Sequence, residues 1–187
     1  ESCIETLLDG TAGLGCHIIV RPHPQYVRHN PGRMAELAKK YRGNKEITFE
    51  TDFSTNDSLY TSDLLITDWS GIAMEFSFAT LKPCVFINTP MKVLNPEYTK
   101  ISCTPINIQM RSKIGISISV DETPAIGNVI KSIRDQKVLK PSEIEQIMND
   151  SVFNVGSFAS AGVRYIIEKV LNARRKNGRL KSFSISK

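Results

Sequence analysis

Residues 64–88 read LLITDWSGIAMEFSFATLKPCVFIN, and three pieces of that stretch decide the fold. LLITD is a continuous apolar run stopped by an acid, the pattern of a buried strand. From Gly71 to about Thr80 the apolar residues recur at helical spacing, and PCVFINT is a second apolar run. Strand, helix and strand in so short a stretch make the two strands parallel, because the chain must cross back before it starts the second. The seam between the first strand and the helix, Thr67-Asp68-Trp69-Ser70-Gly71, holds more polar and small residues than one cap and one turn require.

The same alternation extends in both directions. CIETLLDGTA reads as a short helix, CHIIVRP as a strand, PGRMAELAKKYRG as a helix opened by Pro31 and closed by Gly43, and EITFET as a strand. A short polar helix is expected around NDSLYTS. KIGISISV reads as a fifth strand, and helices are predicted over 123–136, 141–149 and 157–175, with 90–112 a long irregular loop. Continuous apolar strands separated by helical patterns imply a parallel sheet covered on both faces, a Rossmann-like α/β domain of about five strands. The domain is expected to fill residues 1–175, with 176–187 a basic tail. There is no internal repeat and no low-complexity segment.

Composition bounds the function classes. At 187 residues, 41% hydrophobic and 23% charged, the chain suits one globular domain. No apolar run is long enough for a membrane-spanning helix. ESCIETLLDG has neither the basic start nor the apolar stretch of a secretory signal, so a cytoplasmic chain is expected, and the lack of an initiating Met suits an excised piece. Cys3, Cys16, Cys84 and Cys103 show no metal-ligand spacing and read as structural thiols. No metal or other cofactor is expected. The net charge of +5 is uneven: Arg164 to Lys187 carries eight basic residues against Glu168 alone, leaving residues 1–163 slightly acidic. Such a tail suits an anionic membrane surface or contact with nucleic acid, or is simply a solvated helix end. With a single Trp and no interleaving of aromatic and basic residues, a nucleic-acid partner is not expected.

In an open parallel sheet, ligands bind beyond the carboxyl ends of the strands, and three strand ends here carry the chain's unusual polar residues. In RPHP, 21–24, Pro22 and Pro24 stiffen the presentation of Arg21 and His23. Arg21 has a planar fork of donors suited to phosphate, or it caps a loop. His23 can donate to a phosphate oxygen or move a proton to a leaving group. Arg28 and His29 are near enough in sequence to join them, whereas His17 reads as structural. At the seam, Ser70 and Gly71 stand where the helix begins, so free N–H groups and the positive end of the helix dipole face the strand ends. Gly71 permits close approach of an anion, and the Ser70 hydroxyl either caps the helix or donates to phosphate. Glu75 lies one turn on, in range of a ribose. Thr67 shapes the turn, and Asp68 either orients His23 or caps it. GTAGLGC precedes a strand rather than following one, which is the wrong context for a dinucleotide fingerprint.

With RPHP at 21–24, TDWSG at 67–71 and LKPCVFI at 81–87, the chain resembles the C-terminal, donor-binding half of a GT-B enzyme. It looks most like the CDP-glycerol glycerophosphotransferases, the teichoic-acid primases and polymerases. The likeness spans about residues 17–90. Trp69 stands where that family has Tyr, and Gly71 where it has a second Ser. The resemblance implies a transferase that moves glycerol phosphate or a sugar from a nucleotide-diphosphate donor, CDP-glycerol or a UDP-sugar, to a polymer or lipid-linked acceptor. It implies an active-site role for His23, phosphate binding by Ser70 and Gly71, and an N-terminal GT-B domain outside this chain. The stretch from Thr67 to Glu75 is also similar to UDP-N-acetylglucosamine 2-epimerases, where a Glu at the position of Glu75 holds the ribose. A noncatalytic nucleotide- or lipid-binding module is the third alternative.

Overall fold

The computed structural model describes residues 3–91, 93, 95–136 and 139–176. The chain is α/β with parallel strands, in the order α1 (Ile4–Gly10), β1 (Ile18–Val20), α2 (Pro24–His29), α3 (Pro31–Tyr41), β2 (Ile47–Phe49), α4 (Asp57–Thr61), β3 (Leu65–Thr67), α5 (Ile72–Thr80), β4 (Cys84–Asn88), α6 (Ile106–Ile114), β5 (Gly115–Ser119), α7 (Ile126–Gln136), α8 (Pro141–Ser151) and α9 (Phe158–Lys176). Short 3-10 turns at Tyr98–Lys100 and Val120–Ala125 complete it. All five expected strands form.

They do not form one sheet. β1 pairs with β2, and β3, β4 and β5 form a separate ladder in that order, both parallel. The sheet is therefore smaller than the five strands anticipated. Three-residue strands at β1, β2 and β3 offer few ladder bonds, and no ladder joins β1 to β3 among the described residues.

Side-chain burial replaces what that ladder lacks. On the larger sheet, Val85, Ile87 and Ile118 pack with Ile126, Ile130 and Ile133 of α7 and its approach. On the smaller, Ile18, Val20, Ile47 and Phe49 pack against Leu8, Leu37 and Tyr41. α1 serves both clusters, Leu7 entering the first and Leu8 the second. At about 1.5–3 kcal/mol for each fully buried aliphatic or aromatic side chain, these clusters outweigh the short ladders. Glu5 of α1 adds ion pairs to Arg33 and to Lys40, 2.5 Å away. Lys40 first, then Arg33, holds the Glu5 carboxyl below the usual carboxylate range.

Two helices were not anticipated. α2 starts at Pro24, where a ring with φ already near the helical value suits the first helical position. α6 lies inside the segment read as irregular, and its Met110 and Ile114, one helical turn apart, are buried. The chain falls into two compact units, 1–145 and 146–187, dividing within α8. In the second unit, Asn154 and Gly156 adopt left-handed backbone angles just ahead of α9. The tail from 177 onward lies outside the described residues.

Candidate functional site

The seam joins β3 to α5 at the carboxyl end of the three-stranded sheet. Parallel register sets Thr67 beside Phe86 and Asn88 beside Ser119, so the ends of β3, β4 and β5 share one edge. Thr67 is half-buried, and Asp68, Ser70 and Gly71 are exposed.

Two side chains fix the seam to its neighbouring strand. Trp69 Nε1 donates to the Thr89 carbonyl at 2.7 Å. Arg111 of α6 is only 6% exposed, yet it has no carboxylate partner among the described ion pairs. One Nη donates to the Asp68 carbonyl at 2.5 Å and the other to Asn88 Oδ1 at 2.6 Å. Its guanidinium lies between two aromatic rings, 4.0 Å from the Trp69 centroid and 4.5 Å from that of Phe86. Burial lowers its pKa, and the Asp68 charge acts in the opposite sense. A desolvated cation–π contact contributes about 2 kcal/mol and a charged hydrogen bond about 1.5–3. Together these offset a desolvation cost of several kcal/mol. The result is a rigid turn with a buried positive charge directly beneath it.

What the rigid turn presents is the start of α5. Gly71 is the N-cap, with φ −66° and ψ −18°, and a Cβ built on it would meet no atom within 4 Å. The fold therefore leaves room there for a Cβ and does not itself require glycine. Ser70 Oγ accepts from the Ile72 amide at 3.4 Å, a long bond that leaves the hydroxyl loosely held. Glu75 is exposed in the first turn of α5.

The RPHP segment divides into two roles. Arg21 turns back into the protein: one Nη reaches Glu50 Oε1 at 2.7 Å and Ser58 Oγ at 3.2 Å, the other the Thr55 carbonyl at 2.7 Å and Asn56 Oδ1 at 3.0 Å. Its fork is occupied by the end of β2 and the 55–58 segment, so it shapes that loop and is not open to a phosphate in this arrangement. His23 caps α2, its Nδ1 accepting from the Gln25 amide at 3.2 Å. In the neutral ring that bond places the proton on Nε2, as an exposed donor. Asp68 makes no hydrogen bond to His23; of its two expected roles, orienting that imidazole is not seen. His29 Nδ1 bonds the Gln25 carbonyl within α2 at 2.7 Å, and His17 Nε2 bonds Thr48 Oγ1 at 2.8 Å, a structural role as expected.

A concavity of about 400 Å³ lined by Gly15, Cys16, His17, Lys45 and Glu46 lies at the opposite, amino end of β1 and β2. None of the candidate residues at the strands' carboxyl ends lines it, so the seam and not this hollow is the candidate site. No group of three or more His, Cys, Asp or Glu side chains is placed to hold a metal among the described residues.

Sequence reasoning missed Arg111, Asn88 and the Glu50 partner of Arg21. Arg111 is separated from Trp69 by more than forty residues, and its segment has no obvious periodicity. The one available signal was the spacing of Met110 and Ile114, which puts a helix there and so an arginine inside it. Compared with protein-family models, with curated proteins and with solved structures, the chain matches none.

Proposed function

We propose that the chain binds the nucleotide-activated donor of a transferase, with the diphosphate at Ser70 and Gly71 and the ribose near Glu75. The observation that carries this is the glycine at 71. Its backbone angles are ordinary helical ones and its surroundings leave room for a Cβ, so the fold gives no reason for glycine there. Close approach of an anion to the amides opening α5 does give one.

To the other residues the proposal gives the following roles. Arg111 holds the seam and adds positive charge below it, while Trp69, Thr67 and Asp68 shape the turn. His23, with its Nε2 proton outward, stabilises charge growing on the departing nucleotide as an acceptor hydroxyl attacks. Arg21, two residues before His23, ties its own segment to the loop at 50–58. The transferred group is glycerol phosphate or a sugar, and the acceptor a hydroxyl of a cell-wall or capsule polymer. A second, acceptor-binding domain would complete the cleft, so the isolated chain should bind donor without turning it over. Exposure of Glu75 equally suits the 2-epimerase reading, in which no acceptor is needed.

The test is a thermal-shift panel with CDP, UDP, GDP, ADP, CDP-glycerol and UDP-N-acetylglucosamine. A ligand at 100 times its Kd adds about 2.7 kcal/mol, a shift of roughly 5–10 °C for a chain of this size. A CDP-selective shift supports the glycerophosphotransferase reading, and a UDP-selective one moves it to a sugar transferase or epimerase. No shift with any nucleotide at millimolar concentration counts against donor binding by this chain.

A further inference from the structure

Within the 146–187 unit, the long helix α9 leaves its apolar side uncovered. Val163, Ile166, Ile167 and Val170 each keep between 44% and 62% of their surface in solvent. At 100° per residue these four fall in one stripe along the axis, with Ala159 and Ala173 on the same face. A stripe of this kind on a surface helix marks a contact face.

The charges around it say what the contact is. Arg164 and Arg175 follow one border of the stripe, Lys169 stands toward the other, and Arg174 falls near its carboxyl end; all four are exposed, and Glu168 is the one acid on the helix. None of the four has an ion-pair partner among the described residues. A second copy of the helix would bring the same cations against these. An anionic lipid surface meets both needs together, taking the apolar side chains below the headgroups and pairing the cations with them. No described helix is long and apolar enough to cross a membrane, so the geometry is that of a helix lying in the interface plane.

We infer that α9 is an interfacial docking helix for anionic membranes, the stripe from Val163 to Val170 entering the bilayer surface between flanking arginines and lysine. This assigns to a formed helix the lipid contact that composition suggested for the tail, and it stands independently of nucleotide binding.

Cosedimentation of the full chain with vesicles tests it, comparing phosphatidylcholine alone with phosphatidylcholine containing phosphatidylserine. Binding is expected to the anionic vesicles alone, with release in 1 M salt, where the screening length falls to about 3 Å. The Arg164→Gln, Lys169→Gln, Arg174→Gln, Arg175→Gln chain is expected to bind more than about a hundredfold more weakly. Ile166→Asp with Val170→Asp is expected to abolish binding while circular dichroism keeps its helical signal. Equal sedimentation of the wild type with both vesicle types overturns the inference, as does full binding by the four-glutamine chain, which retains residues 177–187. A wild-type dimer dissolved by Ile166→Asp overturns it too, since the stripe would then be covered by a second copy.

Discussion

Gly71 and Arg111 divide the work of the seam. Replacing Gly71 by Ala adds a methyl group into open space at an ordinary backbone conformation, so the melting temperature is expected to stay within about 2 °C of wild type, or to rise slightly. Nucleotide affinity is expected to fall at least tenfold, because the methyl group stands where the anion would approach. Arg111→Met is expected to act in the opposite order. It keeps the aliphatic volume but removes the donors to the Asp68 carbonyl and Asn88 Oδ1, and it empties the space between Trp69 and Phe86. A loss of about 2–4 kcal/mol in chemical denaturation is expected. Ser70, Gly71 and Glu75 were legible in the sequence because a helix start is a local event. Arg111 was not, because its partners come from the seam and from β4, and no local pattern carries a contact of that range. The commitment of Arg21 to Glu50 was hidden for the same reason.

Among the elements, β4 is the best specified. Cys84, Val85, Phe86 and Ile87 are all buried, and their uninterrupted apolar run was readable as a buried strand. Its partner β5 shows what patterning misses. Gly115 pairs with Cys84, and a Cβ at 115 would lie 2.1 Å from the Cys84 carbonyl oxygen and 2.9 Å from the Phe86 ring. The backbone there is extended, so the requirement for glycine is one of space. Gly115→Ala is expected to cost about 2–3 kcal/mol, read as a lower urea midpoint with an unchanged slope. α6 escaped notice because it directly precedes that glycine within a polar stretch, and burial of Met110 and Ile114 by tertiary packing overrides weak local preference. α2 escaped because, at six residues, it is too short to show helical periodicity.

For the molecule as a whole, parallel α/β architecture followed from the alternation of apolar strands and helical patterns. Division of the strands into two ladders did not, since pairing between distant strands leaves no mark on either one. The buried sheet has a consequence at alkaline pH. Burial pushes the Cys84 thiol up to about 12, whereas an unfolded cysteine titrates near 8.5. Between those values the folded chain holds a proton that the unfolded chain has lost, so Cys84 contributes a fall in stability as pH rises from about 9. Below that range it contributes no slope. Denaturation midpoints measured from pH 8 to 11 are expected to fall more steeply for wild type than for Cys84→Ala, and equal slopes would show that this thiol ionises freely in the fold.

Trp69 is the only tryptophan in the chain, and its ring lies against Arg111 one residue from Ser70. Its emission therefore reports directly on the seam. The decisive measurement is a fluorescence titration of the wild-type chain and of Gly71→Ala with CDP and UDP, each taken to several millimolar. If the seam holds a diphosphate, wild type gives a saturable change in emission with at least one nucleotide, and Gly71→Ala gives the same curve displaced at least tenfold to higher concentration. Emission that stays flat with every nucleotide, or two superimposable curves, would mean that TDWSG is a well-anchored turn and that the nucleotide reading is wrong.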